Sequence, residues 1–429
     1  MEPNSVAGHD ICLSTVTSRL AILVSHPIQH FAPWHRELAK IPDIDLRVYF
    51  YCDWGLKNYI DPGFSAPVQW DVPLVDGYAN EFLPIARRPQ RLGFWAVDNP
   101  SVGVALNRFQ PDVVKVFGYA HRTNWRVARW ARRSRRPLML YSDSNVKTVS
   151  TWWKRSIKNA VVGRFYNYVD GAMFVGDNNF NYHLRYGIPS DRLFPGVLPV
   201  DRQNLLRVVP QPANMRRELR RQLGIPQDAF VVLFCGKYIA RKRPADLVHS
   251  VHQLSSKGLP VWGVLVGEGE ERPAIEAFCK SNNIKNVSLT GFINQSAIPR
   301  YYTSADVLAV TSSADPHPLI VSEAGCFGLP VVISDRVGCI GSNDSAQPGG
   351  NAIAYPCGDV QALATAIERL WRDPGLYRRM AAKSSAIALS QDVTAAAQQL
   401  ASAVRQLQAR GCRSCGHARG TVEHIKSSS

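Results

Sequence analysis

The sequence predicts an α/β protein of two doubly wound parallel-sheet domains that face each other across a cleft. Three observations predict it. Short apolar runs alternate with helically spaced segments along both halves of the chain, the pattern of parallel strands joined by crossover helices. Many of those runs end in a glycine or a polar turn, which puts polar side chains at the carboxyl ends of strands, where α/β sheets bind ligands. The length, 429 residues, exceeds what one core usually supports, and 45% hydrophobic content is ordinary for a globular chain.

Residues 1–18 read as an irregular leader. Ile11 to Val24 is mildly apolar but is interrupted by Ser, Thr and Arg, and it lacks the basic start and cleavage site of an export signal. No run approaches the roughly 20 apolar residues that span a bilayer, so a cytoplasmic protein is expected. A first domain is assigned to residues 19–205. Its opening strand, Leu20–Val24, leads into Ser25-His26-Pro27-Ile28-Gln29-His30, and helical spacing starts near Pro33. Asp45–Phe50 and Val113–Gly118 read as further strands, the latter followed by Tyr119-Ala120-His121-Arg122. Pro137–Tyr141 reads as another, ending in Ser142-Asp143-Ser144-Asn145. His26, His30 and His121 either cap their turns or face the cleft.

Residues 206–228, polar and basic with prolines at Pro210 and Pro226, read as the connection between domains. A second domain is assigned to 229–375. The run Val231-Val232-Leu233-Phe234-Cys235 ends in Gly236-Lys237, and Lys242 follows five positions later. A strand, a glycine turn and two cations at the strand's end suit two phosphates, whose charge grows as a nucleotide diphosphate departs. Val264-Leu265-Val266-Gly267-Glu268-Gly269 is a second strand with a glycine turn, short of the third glycine of a dinucleotide fingerprint. Val287–Phe292 is a third, with Ile293 beyond it. Asp306–Val310 delivers Asp315. Asp315 and Glu323 stand eight positions apart around the turn Pro316-His317-Pro318-Leu319-Ile320, and Pro330–Ile333 is the next buried strand. Free N–H groups at a helix start suit an anion, and a carboxylate beside it can accept from the hydroxyls of a ribose. Helical spacing over 376–409 predicts helices after this domain, and 410–429 reads as a frayed tail.

This set resembles retaining family-4 glycosyltransferases. Asp315 and Glu323 match their Glu-x7-Glu signature, with Asp in the first place. Lys242 matches the Lys of their phosphate clamp, while Lys237 stands where the clamp has Arg, keeping the charge and losing the bidentate fork. Some bacterial members share a similar Ser-His-Pro-x-Gln turn. The resemblance covers the second domain in order. It implies the GT-B fold, two Rossmann-like domains facing a cleft, with the last helices crossing back onto the first. A nucleotide-diphosphate sugar is implied as co-substrate, bound by Gly236, Lys237, Lys242, Gly267, Ile293, Asp315, Pro318, Leu319, Ile320 and Glu323. His26, Gln29, His30 and Asp143 are implied on the acceptor side, and His121, Asp315 and Lys242 at the reacting centre. Retention, no metal, no other cofactor and a saccharide or lipid-linked acceptor are implied, in polysaccharide or glycolipid synthesis. A nucleotide-sugar epimerase of the same fold is the alternative within it, and a basic scaffold without catalysis the alternative outside it.

Charge bears on partners. The chain has 50 Lys+Arg against 34 Asp+Glu, and Arg87 to Arg164 alone holds 17 basic and 3 acidic residues, an excess of +14. On a helix, Trp153, Ile157, Ala160, Val161 and Phe165 fall on one side and Lys154, Arg155 and Lys158 around the other. Over 87–165 this suits an anionic membrane surface, which a peripheral protein would meet from the cytoplasm; the apolar stripe would equally suit a domain core. Nucleic acid is not expected, because no helix-turn-helix, RNA-recognition or zinc-finger pattern appears. The nine cysteines lie mostly in apolar runs, as reduced core thiols do. Cys412-x2-Cys415 with His417 could hold zinc, but four ligands are wanted and only His424 is left nearby, so no metal site is assigned and the segment reads as a frayed tail.

Overall fold

The computed structural model describes residues 17–56, 59–61, 66–68, 70–85, 92–147 and 152–413. Most of the leader and the tail, with Cys415, His417 and His424, lie outside the described residues, as do Arg87, Arg88 and Arg91 of the basic stretch. In chain order the first half holds β1 (Ser18–Val24), β2 (Ile44–Phe50), the antiparallel pair β3 (Tyr59–Asp61) and β4 (Ala66–Val68), β5 (Asn80–Phe82), β6 (Val113–Phe117), β7 (Leu138–Tyr141), β8 (Gly171–Phe174) and β9 (Leu193–Pro195). The second half holds β10 (Phe230–Cys235), β11 (Val261–Val266), β12 (Val287–Leu289), β13 (Val307–Val310), β14 (Val331–Ser334) and β15 (Ala352–Tyr355).

Apart from the β3–β4 pair, these strands form two parallel-sheet Rossmann-like domains. The first sheet runs β5-β2-β1-β6-β7-β8-β9 and the second β12-β11-β10-β13-β14-β15. Both are covered by helices on each face, which is why their strands are near-continuous apolar runs: Leu20 to Val24 and Val231 to Phe234 are at most 3% exposed. In each sheet the strand order reverses once, between β1 and β6 and between β10 and β13. A crevice opens at such a reversal because the flanking crossovers leave on opposite faces.

The chain passes between domains at Pro199–Asp201. There Val200 N–H donates to the Gln391 carbonyl at 3.0 Å, and Val393 N–H donates back to Val200 at 3.1 Å. The helix Val393–Arg410 then buries Ala397, Leu400, Ala401, Val404 and Leu407 in the first-domain core beside β1. The segment 206–228, expected as the connection, contains the helix Pro212–Gln222, which packs on the second domain. Two of its basic residues are structural: Arg216 and Arg220 clamp Asp306 at 2.6 and 2.8 Å, and Arg220 is 1% exposed.

The basic stretch is likewise partly consumed by the fold. Arg122 and Arg126 pair with Asp98, Arg108 with Glu81 and Arg136 with Asp112. Lys115 is fully buried against the rings of Trp34, Phe117 and Tyr141. The helix Trp152–Tyr166 puts Val162, Phe165 and Tyr166 into the core against Trp125. Phe165 therefore belongs to the core, whereas Val161, on the expected stripe, is 47% exposed. Among the described residues no helix is long and apolar enough to cross a membrane.

Candidate functional site

The two reversal points carry the residues that the sequence singled out. In the second domain Gly236 and Lys237 follow β10, and Asp315 follows β13. Hydrogen bonds stitch the two loops: the Thr311 hydroxyl donates to the Lys242 carbonyl at 2.7 Å, and Ser313 N–H to Arg241 at 2.8 Å. That stitching brings the Lys242 ammonium onto the Asp315 carboxylate as an ion pair, with Asp315's side chain 9% exposed. Lys237 is half-buried beside Gly236. Gly267 is required by close approach, since a Cβ there would collide with the Gly236 carbonyl. Ile293 packs on the second-domain core. Pro318 is buried in the turn before the seven-residue helix Ile320–Cys326.

Glu323 is on that helix, 7% exposed. Tyr302 Oη donates to its Oε2 at 2.6 Å and Gln295 Nε2 to its Oε1 at 3.1 Å. Burial pushes the carboxyl up from its ordinary value, and the two donors pull it part of the way back. Neither donor was legible in the chain, because Tyr302 and Gln295 lie outside any motif.

In the first domain the corresponding turns follow β1 and β6. His26 faces the Ser25 hydroxyl at 2.8 Å. Burial, reinforced by the nearby His121, holds His26 down to about 4. His121 has its Nδ1 3.5 Å from the Gly93 carbonyl and is also held below the ordinary imidazole range by burial. His30, held down to about 4 by burial and by His26, packs edge-on to Phe31. All three rings are neutral at pH 7, suited to give or take a hydrogen bond and unsuited to carry charge. Burial raises Asp143 at the end of β7, and the charge of Asp315 across the cleft raises it further.

The fold thus brings Asp315 to Lys242 and towards Asp143, and His26 towards His121. An interdomain cavity of about 360 Å³ gathers Gln29, His30, Arg36, Gln295, Leu319 and Glu323. Lys242, Asp315, His121 and Asp143 are not in its walls. Around the cleft the domains are tied by contacts that no motif announced. Lys147 Nζ donates to the Asp335 and Val337 carbonyls at 3.1 and 3.0 Å, and Asn178 Nδ2 to Gly338 and Ile340 at 2.9 and 3.0 Å. Asp177 N–H donates to Asp344 at 2.9 Å, while Ser342 N–H donates to the Asp177 carboxylate at 2.8 Å. Ser296 N–H reaches Asp71 at 3.3 Å.

Comparison with known proteins agrees with this layout. Residues 215–386 match the family model "Glycosyl transferases group 1". An alpha-D-kanosaminyltransferase of Streptomyces kanamyceticus is 27% identical over 45% of this chain and 49% of its own length. The lipopolysaccharide core biosynthesis glycosyltransferase LpsD of Rhizobium meliloti is 31% identical over 42% of this chain and 50% of its own. The chain thus spans about half the length of these curated relatives. The crystal structure of Anabaena Alr3699/HepE in complex with UDP superimposes with a TM-score of 0.69 at 18% identity, covering 91% of this chain and all of that one, which shows a shared fold. Residues 215–386 are thus similar to a glycosyltransferase group 1 domain, and the two-domain fold around them is shared with the Anabaena structure.

Proposed function

We propose that this protein transfers a sugar from a nucleotide-diphosphate donor to a saccharide or lipid-linked acceptor. Transfer retains anomeric configuration, needs no metal or other cofactor, and serves polysaccharide or glycolipid synthesis at the cytoplasmic membrane face. The observation that carries this reading is the Lys242–Asp315 pair at the β10/β13 reversal, opposite the neutral His26 and His121 at the β1/β6 reversal. Relatives support it by name, and the Anabaena neighbour has been crystallised with UDP and with UDP-glucose.

In this reading Lys242 exchanges Asp315 for the donor diphosphate, and Lys237 joins it. Their fixed charge stabilises the leaving group as negative charge grows on it. Asp315, released, accepts hydrogen bonds from the sugar hydroxyls, and neutral His121 meets the sugar from the other domain. Glu323 meets the ribose, for which Gln295 must give up one carboxylate oxygen. The C1–O bond to phosphate breaks as the acceptor oxygen bonds C1 on the same face. The acceptor's proton passes to the departing phosphate oxygen, so no protein nucleophile is needed.

A donor panel assayed for nucleotide release, with and without lipid-linked saccharide acceptors, tests this. Release that depends on the acceptor supports transfer. Conversion of the donor to its epimer without an acceptor would replace this reading with an epimerase. No turnover with any donor, alongside vesicle or nucleic-acid binding, would replace it with a scaffold.

A further inference from the structure

Residues 92–99 precede the helix Val102–Phe109 in the first domain. They carry Trp95, which at 75% exposure is the most exposed large hydrophobic side chain among the described residues. Phe94 packs edge-on to it, with ring centroids 5.0 Å apart. A single exposed apolar side chain is ordinary on a protein surface. Here two adjacent aromatic rings stand on a loop that is fixed in place. Its hydrogen bonds run to the turn that carries His121. Arg122 N–H donates to the Phe94 carbonyl at 3.1 Å, and the Thr123 hydroxyl donates to Asn99 Oδ1 at 2.8 Å. Val97 N–H closes the loop onto the Gly93 carbonyl at 3.3 Å, the same carbonyl that stands 3.5 Å from His121 Nδ1. At the far end the buried Asn99 Nδ2 donates to the Tyr51 and Pro84 carbonyls at 3.0 and 2.9 Å.

The ring itself is oriented by charge. The Arg122 guanidinium lies over the indole, 5.3 Å from its centroid, and pairs with Asp98 at 3.2 Å. Asp98 is gripped in turn by Arg126. A cation over an aromatic face is attracted by the ring's quadrupole, so the indole keeps its orientation although three quarters of the residue meets solvent. A rigid, open aromatic ring beside a guanidinium is the chemistry that recognises a pyranose. The sugar's slightly positive C–H groups pack on the negative face of the ring, and its hydroxyls accept from the charged donors at the edge. Core packing does not account for the residue, since a side chain this exposed buries little apolar surface.

We propose that Trp95 is a stacking platform for a pyranose ring of the acceptor saccharide, with Arg122 bonding that ring's hydroxyls. The inference rests on the reading that the protein transfers a sugar to a saccharide held by the first domain, and it adds which side chains hold it. A lipid surface also takes exposed tryptophans, but a bilayer needs no register with the reacting centre. This loop has one: Gly93, two residues before Trp95, faces His121, and Arg122 directly follows that histidine. A sugar stacked here is held in a fixed relation to His121, as an acceptor must be.

The test is fluorine NMR on the full chain labelled with fluorotryptophan, in the presence of UDP. Loss of one signal in Trp95→Phe identifies the signal of Trp95. The probes are methyl glycosides of glucose, galactose, mannose and N-acetylglucosamine, their disaccharides, and phosphatidylglycerol vesicles. At least one saccharide should shift the Trp95 signal at millimolar concentration, and Arg122→Gln should weaken that response. For whichever saccharide is glycosylated, Trp95→Ala should raise the acceptor KM about tenfold, while Trp95→Phe, which keeps a ring, should raise it less than about threefold. UDP affinity should stay within about twofold in Trp95→Ala, because the second domain holds the diphosphate. A Trp95 signal that no saccharide moves would overturn the proposal, and so would one moved by the vesicles alone, which marks a membrane contact. An unchanged acceptor KM in Trp95→Ala would overturn it too, as would a lowered melting temperature with lost UDP affinity, the signature of a merely structural ring. The reading of the protein as a transferase is judged separately: if no donor is consumed in an acceptor-dependent way, that reading falls and the Trp95 signal still decides whether a saccharide binds there.

Discussion

Tyr302 donates a 2.6 Å hydrogen bond to Glu323, and both groups are buried between the second sheet and the helix Ile320–Cys326. The phenol fixes one carboxylate oxygen, so only the oxygen shared with Gln295 is left to exchange partners. Glu323 is thereby both a ligand group and a packing element. Its substitution has two consequences that should separate.

Glu323→Ala should weaken nucleoside diphosphate binding and also lower stability. Losing a charged hydrogen-bond partner costs about 1.5–3 kcal/mol of binding, and the orphaned Tyr302 hydroxyl costs about 1–3 kcal/mol of folding. Tyr302→Phe removes the phenol while leaving the carboxylate, so it should affect binding less than Glu323→Ala does. Calorimetric titration of the folded variants decides: unchanged affinity in Glu323→Ala removes the ribose role.

Lys242→Ala should lower turnover far more than it weakens nucleoside binding. The charge matters most as the diphosphate departs, and removing one such fixed group typically costs about 10²–10³ in kcat. It also leaves Asp315 without its ion-pair partner. Turnover near wild type with poor binding of the base-bearing half would show that the clamp lies elsewhere.

Asp344 should make the closed interface sensitive to pH. Burial and the facing Asp177 carboxylate push its carboxyl up to about 7, against the downward pull of the Asp177 N–H and of Lys147. Its unfolded value is near 3.8, so between these values the folded state holds the proton that the unfolded chain has lost. The contribution is fully present below about pH 4, declines as pH rises to about 7, and is flat above that. Asp344→Asn should remove the decline, melting higher than wild type at pH 8 and level with it near pH 4. Each kcal/mol should appear as roughly 2–4 °C in a domain of this size. Equal melting at pH 8 would place the proton elsewhere.

The basic stretch should set membrane association. Replacing Lys154, Arg155 and Lys158 with Gln should reduce binding to anionic vesicles and spare activity on a soluble acceptor analogue. Attraction is worth about 1 kcal/mol per basic residue near such a surface and fades with salt. Vesicle binding indifferent to the substitutions and to about 0.5 M salt, where the screening length is on the order of 4 Å, would reject electrostatic docking.

The amino-acid sequence by itself determined the two α/β halves, because a buried parallel strand must be an apolar run and its crossover must be helically spaced. β1, β2, β6, β7 and β10 to β14 are legible for that reason, whereas β5, β8, β9 and β15 were not read from the chain. The sequence also placed Lys242, Asp315 and Glu323 at strand or helix ends, since glycine turns and apolar runs mark those ends locally. Only the tertiary structure decided what those groups touch. Tyr302 meets Glu323, Asp143 senses Asp315 and Lys147 reaches the Asp335 and Val337 carbonyls through topology, for which spacing along the chain holds no signal. The same holds for charge. Arg216, Arg220 and Lys115 all count towards the net charge, yet two clamp Asp306 and the third is sealed among aromatic rings. Net charge counts residues, while the field at a surface depends on which of them the fold leaves unpaired and exposed.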